Sequence, residues 1–178
     1  MKIYIGGSRK LKQSAALKQV VKSILAGGNQ ITVGCATGAD QQVIEACQSS
    51  ISQCHVHAAF SENGNGSHSG SAVATVQAFC RAGGRVSWLA GGSLAVPLVA
   101  RLMSRSLAGL RSANRAIFFE PGAGSLKVAR AALKMSLPVT IICSAMSTPP
   151  ILPAAATKIT RSGITCWHYQ PATQANLF

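Results

Sequence analysis

Residues 31–40 read Ile31-Thr32-Val33-Gly34-Cys35-Ala36-Thr37-Gly38-Ala39-Asp40. Three β-branched residues predict a short strand, the glycines predict a turn, and Asp40 stands where a new helix would begin. Val43, Ile44 and Cys47 then fall on one helical face, so a helix is expected from Gly38 to Cys47. The same unit precedes this one. Met1 to Ile5 predicts a strand, Gly6-Gly7-Ser8-Arg9 a turn, and Leu17, Val20, Val21, Ile24 and Leu25 a helix stopped by Gly27-Gly28. It recurs downstream, where Ala116 to Phe119 predicts a strand, Glu120 to Ser125 a turn, and a basic helix runs to Met135. Pro138 to Cys143 follows as an apolar strand of the kind covered on both faces.

Between these units, His55 to Phe60 and Val86 to Ala90 read as strands and Ser71 to Arg81 as a helix. The longest helix carries an apolar stripe of Val96, Val99, Ala100, Met103, Leu107 and Leu110, with Arg101 and Arg105 on a neighbouring face. Ile164 to Tyr169 predicts a last strand at a sheet edge. Strands alternating with helices specify an α/β fold: a Rossmann-like three-layer α/β/α arrangement with a mostly parallel sheet of six to seven strands. The 178 residues fit one domain, 1–178, whose segment 144–178 holds four of the seven prolines and is expected to be less regular. Ser61 to Gly70 is polar and glycine-rich, long enough for a mobile loop over a site; His68 within it either covers that site or stands exposed.

Composition narrows the chemistry. Seventeen Lys and Arg face four acids, Asp40, Glu45, Glu62 and Glu120, for a net charge of +13. Mechanisms built on several carboxylates, such as a glycosidase pair or a two-metal centre, have little to work with. Anionic partners are expected instead: a nucleotide-like small molecule, or nucleic acid or another polyanion. The six cysteines form no CxxC pair and the histidines have no finger-like spacing, so no metal is expected, and buried thiols in a reducing cytoplasm fit the cysteines' apolar surroundings. The opening residues do not read as a signal peptide, and no apolar run has membrane-spanning length.

Glycines at the ends of strands let a backbone approach a phosphate, and the helix that follows offers unpaired N–H groups and a favourable dipole. Three such turns at equivalent strand ends would converge in space. GGSR at 6–9, GCATGAD at 34–40 and PGAGS at 121–125 together resemble the SLOG superfamily of Rossmann-like proteins, which includes the DNA-processing protein DprA and the LOG phosphoribohydrolases. The likeness runs from Met1 to Cys143 and is nearest to small bacterial proteins with a GSR turn and a GxAxGAD turn.

That resemblance implies a pocket for a nucleotide or nucleotide-derived ligand, the protein being a sensor or binding module. The matching positions are Gly6, Gly7, Ser8 and Arg9 on one side, Gly34, Ala36, Thr37, Gly38 and Asp40 on the next, and Gly122, Gly124 and Ser125 at the phosphate-facing turn. Arg9 can pair a phosphate in bidentate fashion, Thr37 and Ser125 can donate hydroxyl hydrogen bonds, and Asp40 can accept from a ribose hydroxyl or serve its own helix. Arg101 and Arg105 either reach the ligand or form a solvated helix face. The LOG pattern PGGxGTxxE has a glutamate where this chain has Val128, so binding without turnover is favoured over phosphoribohydrolase activity. DprA-like nucleic-acid binding is the alternative. Relatives of this type assemble through helix faces, which implies a homo-oligomer, a dimer.

Overall fold

The computed structural model describes residues 1–143, 149, 151–161 and 163–171. Strands and helices alternate in the order β1 (Lys2–Gly7), α1 (Ala15–Ala26), β2 (Gln30–Val33), α2 (Ala39–Ala46), β3 (Cys54–His57), α3 (Val73–Arg81) and β4 (Arg85–Ser87), with a 3-10 helix at Gln48–Gln53 leading into β3. The second half continues with α4 (Leu98–Arg111), β5 (Arg115–Phe119), α5 (Ala123–Lys134), β6 (Val139–Ile142), β7 (Thr157–Arg161) and β8 (Ile164–Tyr169). All eight strands form one sheet in the order β4-β3-β2-β1-β5-β6-β8-β7. It is parallel from β4 to β6, because each of those strands returns through a helical crossover, and antiparallel where β8 joins β6 and β7.

The strand count corrects the expected six to seven. The additional strand, β7, lies in the proline-bearing segment 144–178 that was expected to be less regular, and it makes a hairpin with β8 around Gly163. Its sequence, Thr-Lys-Ile-Thr-Arg, has one large apolar residue because an edge strand covers little core. Ile164–Tyr169 is accordingly internal to the sheet, where Trp167 is buried, and β7 takes the edge. The end from Gln170, which as the last part of this segment is expected to be loosely held, lies outside the described residues from 172 onward.

Side chains alternate across the sheet. Ile3, Ile5, Ile31, Val33 and Val56 face a cluster with Leu17 and Val21 of α1, Val43 and Ile44 of α2 and Phe79 of α3. Tyr4, Ala116, Phe118, Val139 and Ile141 face Leu110 of α4 and Val128, Ala129 and Ala132 of α5. Helix α1 starts where the Ser14 hydroxyl accepts the Leu17 N–H and stops at Gly27, as its pattern predicts. Cys35, Cys47 and Cys54 are buried and Cys80, Cys143 and Cys166 half-buried, all as free thiols.

Helix α4 departs most from its pattern. It buries Arg101, Arg105, Ser106, Gly109 and Leu110, while Val99 of the expected apolar stripe is 78% exposed. The reason is the surface beneath it. Helix α4 packs on β2 and β3, and on its side of the sheet stand Tyr4, Thr32 and Gly34; a Cβ on Gly109 would lie 3.0 Å from two Tyr4 ring carbons and 3.4 Å from Thr32 Oγ1.

This layer also holds an acid-sensitive element. His57 is buried, its ring nitrogens and Thr32 Oγ1 have no hydrogen-bond partner among the described residues, and its ring lies 4.2 Å from that of His55. Burial, then the charge of His55 and nearby cations, lowers the His57 pKa to about 4. The folded state therefore binds fewer protons than the unfolded chain between pH 6.5 and about 4. Stability is fully present above the unfolded pKa and is lost as pH falls through that window. Denaturation midpoints measured from pH 7.5 to 4.5 should fall steadily, and His57→Leu should flatten the decline while leaving neutral-pH stability equal or higher, since an apolar side chain leaves no orphaned nitrogens there.

Candidate functional site

The three glycine turns meet at the carboxyl ends of β1, β2 and β5. The Ser8 N–H donates to the Phe119 carbonyl at 3.0 Å, the Ala39 N–H donates to the Ser8 carbonyl at 3.0 Å, and the Ser125 hydroxyl donates to the Gly7 carbonyl. A cavity of about 240 Å³ opens at this junction. Tyr4, Gly6 and Phe118 line it from the sheet. Leu102, Met103, Arg105 and Ser106 of α4 make one wall, with Val99 near them; Gly124, Ser125, Lys127 and Val128 of α5 make the other. Gly7, Arg9, Ala36, Asp40 and His68 complete the lining.

Eight sequence-derived positions thus reach the cavity: Gly6, Gly7, Arg9, Ala36, Asp40, Arg105, Gly124 and Ser125. Ser8, Gly34, Thr37, Gly38, Arg101 and Gly122 do not line it. Ser8 and Gly38 hold the turns together instead. Gly38 has φ +75°, and a Cβ on it would lie 2.4 Å from the Ser8 carbonyl oxygen, so both its backbone conformation and the neighbouring turn demand glycine. The Thr37 hydroxyl, expected to meet ligand, donates to the Arg9 carbonyl at 3.4 Å, and its N–H donates to the Gly70 carbonyl at 2.9 Å. The Ser125 hydroxyl is likewise engaged with backbone.

Gly34 corrects its expected role in a second way. A Cβ there would fall 1.3 Å from Arg105 Nη1 and 2.4 Å from Asp40 Oδ2. The glycine makes room for an ion pair, not for a phosphate. Arg105 Nη1 and Asp40 Oδ2 are 2.9 Å apart, both side chains almost wholly buried, and the same Oδ2 accepts the Ala36 N–H at 3.1 Å. Asp40 thus serves its turn and α4, and its carboxylate is committed. Neither Arg101 nor Arg105 forms a solvated face. Arg101 is buried with Nη1 donating to the carbonyls of Ala59, at 2.6 Å, and Gly66, at 3.0 Å, and Nε to that of Val96, at 3.0 Å. It binds backbone, so its charge is not offered to the cavity.

The mobile cations near the cavity are Arg9 and Lys127, both exposed. Lys127 escaped the sequence reading, although its position one turn into a helix that follows a glycine turn was the available signal. At the start of α5, Gly122 caps with no side chain, and nothing stands within 4 Å of where a Cβ would be on Gly122 or Gly124. First-turn amides have no intrahelical partner and present a partial positive charge. Tyr4, wholly buried, has its phenol pushed up to about 12 chiefly by burial, so it stays a neutral hydrogen-bonding group at the cavity floor. Burial also raises the Cys35 thiol, which accepts the Ala59 N–H at 3.4 Å and is no nucleophile. Among the described residues no group of three or more His, Cys, Asp or Glu is placed to hold a metal ion, and no helix is long and apolar enough to cross a membrane.

Comparison with protein-family models, with curated proteins and with solved structures returns no match for this chain.

Proposed function

We propose that this chain is a Rossmann-like, SLOG-type three-layer module that binds a nucleotide or nucleotide-derived ligand without turning it over. One observation carries the reading: at the carboxyl ends of the parallel strands, one cavity combines a polar lining of an uncapped helix start, Lys127 and Arg9 with an apolar lining of Leu102, Met103 and Phe118. An anionic head with a flat apolar body fits that division. The phosphate goes to the turn before α5, between Arg9 and Lys127, and the base goes against Met103 and Phe118.

Turnover is disfavoured by the carboxylates. Val128 occupies the position of the LOG glutamate, is 7% exposed and lines the cavity. Asp40 is committed to Arg105, and Glu120 lies outside the lining. Nucleic-acid binding is the second reading, favoured by Lys127, Arg130 and Lys134 exposed at successive turns of α5.

A thermal-shift series with AMP, NAD, ADP-ribose and short single-stranded DNA tests both. A nucleotide at a hundredfold excess over its Kd should raise the melting temperature by roughly 5 to 10 °C. If no nucleotide stabilises the protein and DNA binds with a steep salt dependence, the second reading replaces the first. Release of free base from a nucleoside monophosphate would overturn the assignment as a binding module.

A further inference from the structure

We propose that His68 is a third phosphate-reading residue of this cavity beside Arg9 and Lys127, donating from Nε2 to the anionic group that Arg9 pairs. The inference rests on the nucleotide reading and adds a neutral donor of fixed direction to it. The Gly70 N–H donates to His68 Nδ1 at 2.8 Å. A backbone N–H can only donate, so Nδ1 is the acceptor and the neutral ring carries its proton on Nε2. His68 lines the cavity and is half-buried. Arg9 stands beside it, since a Cβ on Gly70 would lie 2.8 Å from His68 Cε1 and 3.0 Å from Arg9 Nη1.

The segment that carries His68 is stitched down along its length. Arg101 holds the Gly66 carbonyl, the Thr37 N–H holds that of Gly70, Ser71 forms an antiparallel bridge with Ala36, and the Ser71 hydroxyl accepts the His68 N–H at 3.1 Å. Arg101, expected to touch ligand, is on this account a positioning residue for the imidazole. The charged groups around the ring are Arg9 from the turn after β1, and Arg101 and Arg105 from α4, with Asp40 of α2 paired to Arg105 and Lys127 of α5 lining the same cavity. Burial first and these arginines next lower the His68 pKa, so at neutral pH the ring is an uncharged donor. A bound phosphate dianion offsets the field of these arginines and raises the pH at which the ring takes a second proton; that proton lands on Nδ1 and ends the bond from the Gly70 N–H.

Long-range proton–nitrogen NMR of the histidine rings, with AMP and inorganic phosphate as probes, tests this. The expected result is the Nε2–H form at pH 7.5 and an upward move of the His68 titration when either anion is added. Calorimetry should find His68→Ala and His68→Asn about tenfold weaker for AMP, whereas His68→Gln, which places an amide N–H near the lost Nε2, retains most affinity but takes up no proton. A His68 resonance that ignores both anions, in a protein whose AMP binding is weakened tenfold or more by Arg9→Ala, overturns this inference and leaves the nucleotide reading standing. Failure of the parent protein to bind either anion removes both.

Discussion

Arg105→Ala is expected to lower the melting temperature by roughly 6 to 20 °C, the largest loss of any single substitution considered for this chain. The cost comes from what is left behind. Asp40 is 5% exposed and its Oδ2 faces Arg105 at 2.9 Å, so truncation leaves a largely buried carboxylate without its counter-charge. Breaking such a pair from one side typically costs about 3 to 5 kcal/mol, whereas removing both charges together is often near neutral. Arg105→Met combined with Asp40→Asn should therefore recover much of the loss. Gly34→Ala supplies an independent check, because its Cβ collides with the guanidinium. In the parent protein it should cost as much as several kcal/mol, and in the Arg105→Ala background clearly less, the remainder coming from Asp40 Oδ2, 2.4 Å from the same Cβ, as neighbouring substitutions that share a cause are not additive. Equal costs in both backgrounds, read from chemical denaturation, would show that Gly34 is not the seat of Arg105.

Arg9→Ala should remove much of the nucleotide stabilisation while leaving the fold intact. Arg9 is exposed, its side chain takes no part in the ion pair, and its backbone carbonyl keeps its bond from Thr37 in the variant. A charge-assisted, bidentate contact to phosphate is worth about 1.5 to 3 kcal/mol, so affinity should fall roughly 10- to 150-fold. Lys127→Ala should cost less, because a flexible ammonium in water loses more entropy per contact formed. Calorimetric titration with AMP separates the cases. Full retention of binding by Arg9→Ala, with unchanged melting temperature, would remove the GSR turn from the site and with it the proposed phosphate position.

The elements that repeat were readable before any coordinates. β1-α1-β2-α2 and β5-α5-β6 follow from β-branched runs, glycine turns and helical apolar faces, and each of these is a local pattern. The convergence of the three glycine turns was readable too, since right-handed crossovers leave parallel strands with their carboxyl ends on one side. Helix α4 was not. Of its stripe of Val96, Val99, Ala100, Met103, Leu107 and Leu110 only Leu110 is buried, whereas Arg101, Arg105 and Ser106, lower on any hydropathy measure, all are. Hydropathy assumes an apolar partner surface, and here the partner is a strip of sheet with a tyrosine, a threonine, a histidine and a glycine-shaped gap.

The residues of the cavity divide in the same way. Gly6, Gly7, Arg9, Gly124 and Ser125 are reached through turn chemistry alone, because a turn's residues stay close in the chain to what they do. Tyr4 and Met103 required the tertiary structure, Lys127 stood one turn beyond a turn already read, and for His68 packing decided between covering the site and standing exposed. The roles shifted for the same reason. The resemblance implied a ligand contact for Thr37 and, for Asp40, either a ribose contact or a role in its own helix, but a hydroxyl or carboxylate in a packed turn satisfies the nearest buried partner first, and those partners are the Arg9 carbonyl, the Ala36 N–H and Arg105. Composition and periodicity were enough for the α/β class, the direction of the strands and the end of the sheet where a ligand would go. Which charges are spent inside the fold and which remain for a partner was decided only by packing, because burial is a property of the surface a side chain meets and not of the side chain itself.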